Sequence, residues 1–238
     1  MQTPTGLMRT YLYSPISDDS SQQFPALIFY SEIFQQTPPI ARMAMQFASQ
    51  GYVVAVPEVY HEHEPIGTVL GYDDEGKNKG NAYKAKTKLS TFDNDARIVL
   101  EMLTRHQQCN GSLGVAGVCL GGHLAFRAGL NPEVKATCCM YPTDLHTGTL
   151  GEGQNADSLD RADEIQGELL MIWGRQDPHI PLDGRRKIHQ ALEQAGARFT
   201  WHEFNAEHAF MRDEGERYNP SLAHLCYELA FDLFSRNL

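Results

Sequence analysis

The stretch Ser112-Leu113-Gly114-Val115-Ala116-Gly117-Val118-Cys119-Leu120-Gly121-Gly122-His123 decides the fold. An apolar, Val-rich run ends at Val118 and a helical pattern follows Gly122, so a strand turns almost directly into a helix around Cys119. Gly117-Val118-Cys119-Leu120-Gly121-Gly122 has the G-x-nucleophile-x-G form of a nucleophile elbow, with cysteine as the nucleophile. Such a turn strains the backbone of its central residue, and the glycines avoid clashes with the adjoining strand and helix. It also aims a helix N-terminus at the sulfur, which favours a thiolate and a developing oxyanion. The wider stretch Leu113–Leu130 approaches the length of a membrane span. His123, Arg127 and five glycines interrupt it, so no membrane segment is expected there.

Working outward, Ala26–Tyr30, Tyr52–Val56, Ser112–Val118, Ala136–Tyr141, Glu168–Trp173 and Arg198–Phe204 read as strands, most of them apolar throughout. Strands buried on both faces have that composition. Residues 40–50, 93–107, 122–130, 182–195 and 221–235 read as helices, with Gly51 and Gly196 placed as C-caps. This alternation predicts an α/β chain with a mostly parallel central sheet and helices on both faces, as one domain over residues 1–238. Residues 61–89 and 142–164 lack a clear period and are expected to be long excursions at the rim of the sheet.

Composition narrows the function. Lys+Arg number 20 against 30 Asp+Glu, a net charge of −10, which argues against nucleic-acid binding because that needs a basic footprint. Five cysteines without C-x-x-C spacing predict reduced thiols in a cytoplasmic protein, not a disulfide framework or structural zinc. Met1–Thr10 shows no charged segment before an apolar run, so no secretory leader is expected. His61-Glu62-His63-Glu64 has two imidazoles at i, i+2 but no evident third ligand, so no metal is expected.

A thiol at an elbow needs a base, and the base an orienting acid. Asp177 follows the strand ending at Trp173, and His208 follows the strand ending at Phe204. The chain order nucleophile, acid, histidine, each just past a strand end, predicts a Cys119–His208–Asp177 triad.

With these residues in place, the chain resembles the dienelactone hydrolase family of α/β-hydrolases. The resemblance rests on G-x-C-x-G-G (Gly117–Gly122), the G-x-x-D-P loop (Gly174–Pro178), His208 with Arg212 four residues on, and Ser31-Glu32-Ile33-Phe34 after the first core strand. It implies an α/β-hydrolase fold and hydrolysis of a small lactone or carboxylic ester through a thioester, without metal or organic cofactor. Glu32 would accept a hydrogen bond and then the proton from Cys119, and the N–H groups of Leu120 and Ile33 would form the oxyanion hole. Arg212 would bind a substrate carboxylate, unless it pairs with Asp213 or Glu214. Lys79 falls near a second family arginine and Lys86 near a family tryptophan; Phe34 and Tyr83 complete the expected substrate-binding set. The expected partner is a small-molecule substrate, with the protein a monomer or weak homodimer. Two rival functions are a catalytically weak redox-sensing or ligand-binding module with a reactive Cys119 and a nucleotide-binding domain. The latter lacks its glycine fingerprint and acidic ribose anchor.

Overall fold

Strands form where the sequence runs apolar without alternation, because a strand covered on both sides buries every side chain. The computed structural model describes residues 1–19 and 21–238. A short hairpin of β1 (Gln2–Thr3) and β2 (Gly6–Leu7) precedes β3 (Thr10–Tyr13), β4 (Phe24–Tyr30), α1 (Pro38–Ser49) and β5 (Val53–Pro57). Then come α2 (Asp74–Lys86), α3 (Leu89–Arg105), β6 (Cys109–Val118), α4 (Leu120–Ala128) and β7 (Val134–Met140). The chain ends with β8 (Glu168–Gly174), α5 (Leu182–Gln194), β9 (Phe199–Phe204) and α6 (Pro220–Asn237). The main sheet has the order β3-β5-β4-β6-β7-β8-β9, parallel except for β3, which runs antiparallel to β5.

Strand order determines where a site can lie. From β4 the chain steps outward to β5, then returns across β4 to β6 and continues through β9. Right-handed crossovers therefore put α1 on one face of the sheet and α3 and α4 on the other. Phe47 of α1 packs against Phe29 of β4 and against Tyr227, Phe231 and Phe234 of α6. The reversal opens a crevice at the carboxyl ends of β4 and β6, the general location of ligands in open α/β sheets.

The six apolar runs all become strands and the five periodic segments all become helices. The 61–89 excursion holds a thirteen-residue helix, α2, that the sequence pattern conceals. Its buried positions are Gly76 and Gly80 instead of apolar residues, so it has no hydrophobic period to read. A Cβ at Gly80 would strike the Ile33 carbonyl, and one at Gly76 the Gly71 carbonyl, which is why the helix can sit so close. The antiparallel edge strand β3 also lies outside the sequence expectation. His61 and His63 diverge: His61 Nε2 lies 3.2 Å from Thr3 Oγ1, whereas His63 Nε2 lies 2.9 Å from Thr87 Oγ1.

Asp95 of α3 is buried, with no hydrogen bond to either carboxylate oxygen among the described residues; His61 Nδ1 is 3.5 Å from Oδ2. Burial, and secondarily the charge of Glu62, pushes its pKa up to about 7. The folded chain thus keeps a proton that the unfolded chain releases near pH 4, so stability falls as pH rises from about 4 to about 7. Asp95→Asn, neutral throughout, should lose about 2–3 kcal/mol less unfolding free energy than wild type between about pH 5 and pH 8. Urea unfolding at both pH values measures this, and equal pH dependence in the two proteins would contradict it.

Candidate active site

The elbow forms because two glycines let β6 turn into α4 against the end of β4. A Cβ at Gly117 would strike the Gly121 carbonyl, and one at Gly121 would strike the carbonyls of Tyr30 and Ser31. Cys119 sits between them at φ 59° and ψ −123°, outside the usual regions for a side-chain-bearing residue. Its N–H donates to the Met140 carbonyl at 3.1 Å, and its carbonyl accepts from Gly122 at 3.1 Å and Thr143 at 3.2 Å. Leu120 opens α4, where N–H groups lack an intrahelical acceptor. The Ile33 N–H makes no backbone hydrogen bond outside helices and strands among the described residues.

Asp177 and His208 emerge from the ends of β8 and β9 and are buried together. Asp177 Oδ1 accepts from the His179 N–H at 2.8 Å, leaving Oδ2 to accept from His208 Nδ1 at 2.6 Å. That bond assigns the Nδ1 proton and turns Nε2 away from Asp177. Burial opposes a charged ring, but the neighbouring Cys119 and the hydrogen bond to Asp177 outweigh it and lift the His208 pKa to about 10. The ring also meets the edges of Tyr141 and His179, at centroid distances of 5.2 and 4.7 Å.

Cys119 and His208 face a cavity of about 520 Å³, lined also by Glu32, Ile33, Phe34, Tyr72, Thr143, His179 and Arg212. Glu32 is buried; Oε2 accepts from Tyr72 Oη at 3.1 Å and Oε1 lies 3.7 Å from Arg212 Nη1. Burial raises its pKa despite the opposing charges of Arg212 and His208. The expected Cys119–Glu32 hydrogen bond is not among those formed by the described residues, because Tyr72 and Arg212 engage the carboxylate instead. Arg212 also stacks on Tyr72, its Cζ 4.2 Å from the ring centroid. It does not pair with the Asp213 or Glu214 side chains, which Arg42 takes; its Nε donates to the Glu214 carbonyl at 3.0 Å.

Phe34 lines the cavity, its ring 4.8 Å from that of Tyr72. Lys79 and Tyr83 do not. Lys79 pairs with Glu75 at 2.8 Å, and Tyr83 donates to Glu64 at 2.6 Å while stacking on His63. The α2 cations at the cavity are Lys77 and Lys84, the latter 2.7 Å from Asp144. Helical phase explains the exchange: α2 turns Gly76 and Gly80 inward, so Lys79 faces out. Sequence reasoning missed Tyr72, Lys84, Asp144 and His179; only His179, beside Asp177-Pro178, had a readable signal. Asp177→Asn should lower the His208 pKa from about 10 by more than one unit, since it removes the carboxylate's charge. Imidazole NMR titration reads this; an unchanged value would mean that Asp177 does not support the charged ring.

A sequence model of the dienelactone hydrolase family matches residues 8–238. A Saccharomyces cerevisiae protein named "Putative carboxymethylenebutenolidase" is 40% identical over 248 residues, covering 100% of this chain and 90% of its own length. The "Carboxymethylenebutenolidase" of Pseudomonas putida is 29% identical over 220 residues, covering 89% of this chain and 85% of its own. Among solved structures, "Putative Dienelactone Hydrolase" from Klebsiella pneumoniae subsp. pneumoniae superposes with a TM-score of 0.79 at 22% identity, covering 97% of this chain and 99% of its own. Elbow, strand order and sequence relationship lead to one identification: the chain belongs to the dienelactone hydrolase family, carboxylic ester hydrolases of the α/β-hydrolase fold.

Proposed function

We propose that this protein hydrolyses a small lactone or carboxylic ester through a thioester on Cys119. The observation carrying this reading is that the buried His208–Asp177 pair and Cys119 at its strained elbow converge on one cavity. In this reading His208 takes the Cys119 proton as the sulfur reacts, since Glu32 is engaged by Tyr72 and Arg212. The thiolate attacks the substrate carbonyl carbon, and the displaced electron pair moves onto oxygen, facing the N–H groups of Leu120 and Ile33. Collapse breaks the carbon–oxygen bond; the leaving oxygen takes the proton from His208, and a thioester remains. Neutral His208 then accepts a proton from water, whose oxygen attacks the thioester carbon. The sulfur departs as thiolate, restoring the ion pair and releasing the acid.

Arg212 and Phe34 form the proposed substrate-binding wall. A substrate carboxylate would take two parallel hydrogen bonds from the guanidinium and displace the 3.7 Å contact with Glu32. Glu32 would then be free to turn towards Cys119, the position expected from the family resemblance. The net charge of −10 does not steer an anion inward, so Arg212 must supply the attraction locally.

A panel of lactones and short-chain esters tests the chemistry. Cys119→Ala should abolish turnover, and Cys119→Ser should lose most of it, since a high-pKa hydroxyl is poorly activated by this arrangement. Retained turnover in Cys119→Ala would move the reaction elsewhere. Arg212→Ala should raise KM about 10- to 100-fold for carboxylate-bearing substrates, the loss of a charge-assisted hydrogen bond, and leave neutral esters nearly unaffected. Equal effects on both substrate types would remove Arg212 from recognition.

A further inference from the structure

Helix α4 buries two polar residues that the proposed chemistry does not use, His123 and Arg127. Both belong to one chain of hydrogen bonds whose direction can be assigned. Arg127 is held by Asp93, with Nε to Oδ1 at 2.8 Å and Nη2 to Oδ2 at 2.7 Å, and by Asp157 at 2.8 Å. Its Nη1 donates to Ser158 Oγ at 2.9 Å. Ser158 Oγ in turn lies 2.7 Å from His123 Nε2, and His123 Nδ1 lies 3.0 Å from the Thr143 carbonyl. A carbonyl only accepts, so Nδ1 carries the ring proton. Burial pushes the His123 pKa well down, so the ring is neutral and Nε2 is an acceptor for the Ser158 hydroxyl. Beyond Thr143 the chain reaches the nucleophile, because the Thr143 N–H donates to the Cys119 carbonyl at 3.2 Å.

We propose that His123 is a positioning residue for the nucleophile: its Nδ1–H fixes the Thr143 residue that tethers Cys119 in the elbow. This rests on Cys119 being the nucleophile. The need for a tether follows from the backbone. Cys119 occupies strained angles that persist only when surrounding bonds over-determine them. One of its two carbonyl partners, Thr143, lies in the loop following β7, outside regular secondary structure. The relay from Arg127 secures that loop to α4, the same helix that begins beside the sulfur.

The two amide replacements of histidine separate the two ring nitrogens. His123→Asn places an N–H near the Nδ1 position and can keep the bond to Thr143; His123→Gln reaches the Nε2 position, keeping Ser158 but losing Thr143. His123→Gln should lower kcat for an activated ester about 10- to 100-fold at nearly constant KM, the scale of a small misplacement of a reacting group. It should slow iodoacetamide alkylation of Cys119 in parallel. His123→Asn should keep kcat and the alkylation rate within about threefold of wild type. Thermal unfolding of both variants monitors the fold. Equal losses in both, or none in His123→Gln, would overturn the positioning role. Alkylation needs no turnover, so it tests the tether even if Cys119→Ala leaves esterase activity intact, an outcome that would instead end the nucleophile reading.

Discussion

The constraint on which the site depends is the contact of Gly121 with the carbonyls of Tyr30 and Ser31, which no side-chain-bearing residue could make. It locks the first turn of α4 against the end of β4, so Cys119 and Glu32 share one crevice despite lying 87 positions apart in sequence (119 − 32). Sheet topology does the rest. Because the strand order reverses at β4, the ends of β6, β8 and β9 fan out along the same edge, each delivering one polar residue. The site is thus a consequence of where strands stop.

The charges follow the same economy. Arg127 is shielded by two aspartates, Arg42 occupies Asp213 and Glu214, and Lys84 meets Asp144, so most buried or half-buried cations have local partners. Arg212 differs, since its nearest carboxylate is Glu32 at the longer distance of 3.7 Å and its planar face rests on Tyr72. A contact of that length is easily exchanged for a bidentate one. Within an acidic protein, this leaves a small, localised attraction for a negatively charged group beside Cys119.

Most of this arrangement was legible because strand ends and glycines speak directly through composition. Gly117, Cys119 and Gly121 announce a turn; Asp177 follows an apolar run that reads as a buried strand, and His208 follows the half-buried, aromatic-rich strand Phe199–Phe204. Lys79 and Tyr83 were illegible for a physical reason. Their helix presents glycines to the protein, so neither its existence nor its rotational phase shows in a hydrophobic pattern. Tyr72 was hidden because its role depends on three-dimensional convergence with Glu32 and Arg212, from segments with no shared motif. The polar interior of α4 was visible as an interruption of an apolar run, but its partners Ser158 and Thr143 lie 35 and 20 positions from His123 in loops with no motif to link them.

The glycine face of α2 carries one more implication. This wall is joined to the body by backbone proximity and by polar contacts: Tyr60 Oη to the Gly80 carbonyl at 2.9 Å, Lys84 to Asp144 at 2.7 Å and Tyr83 to Glu64 at 2.6 Å. Burying so little hydrocarbon, it gains little from solvent exclusion. Segments of that kind detach from a folded protein at lower energy than its sheet does. The flank carrying Lys77 and Lys84 thus rests on polar and backbone contacts, while the opposite flank, built on β6 and α4, is packed with hydrocarbon beneath the sulfur.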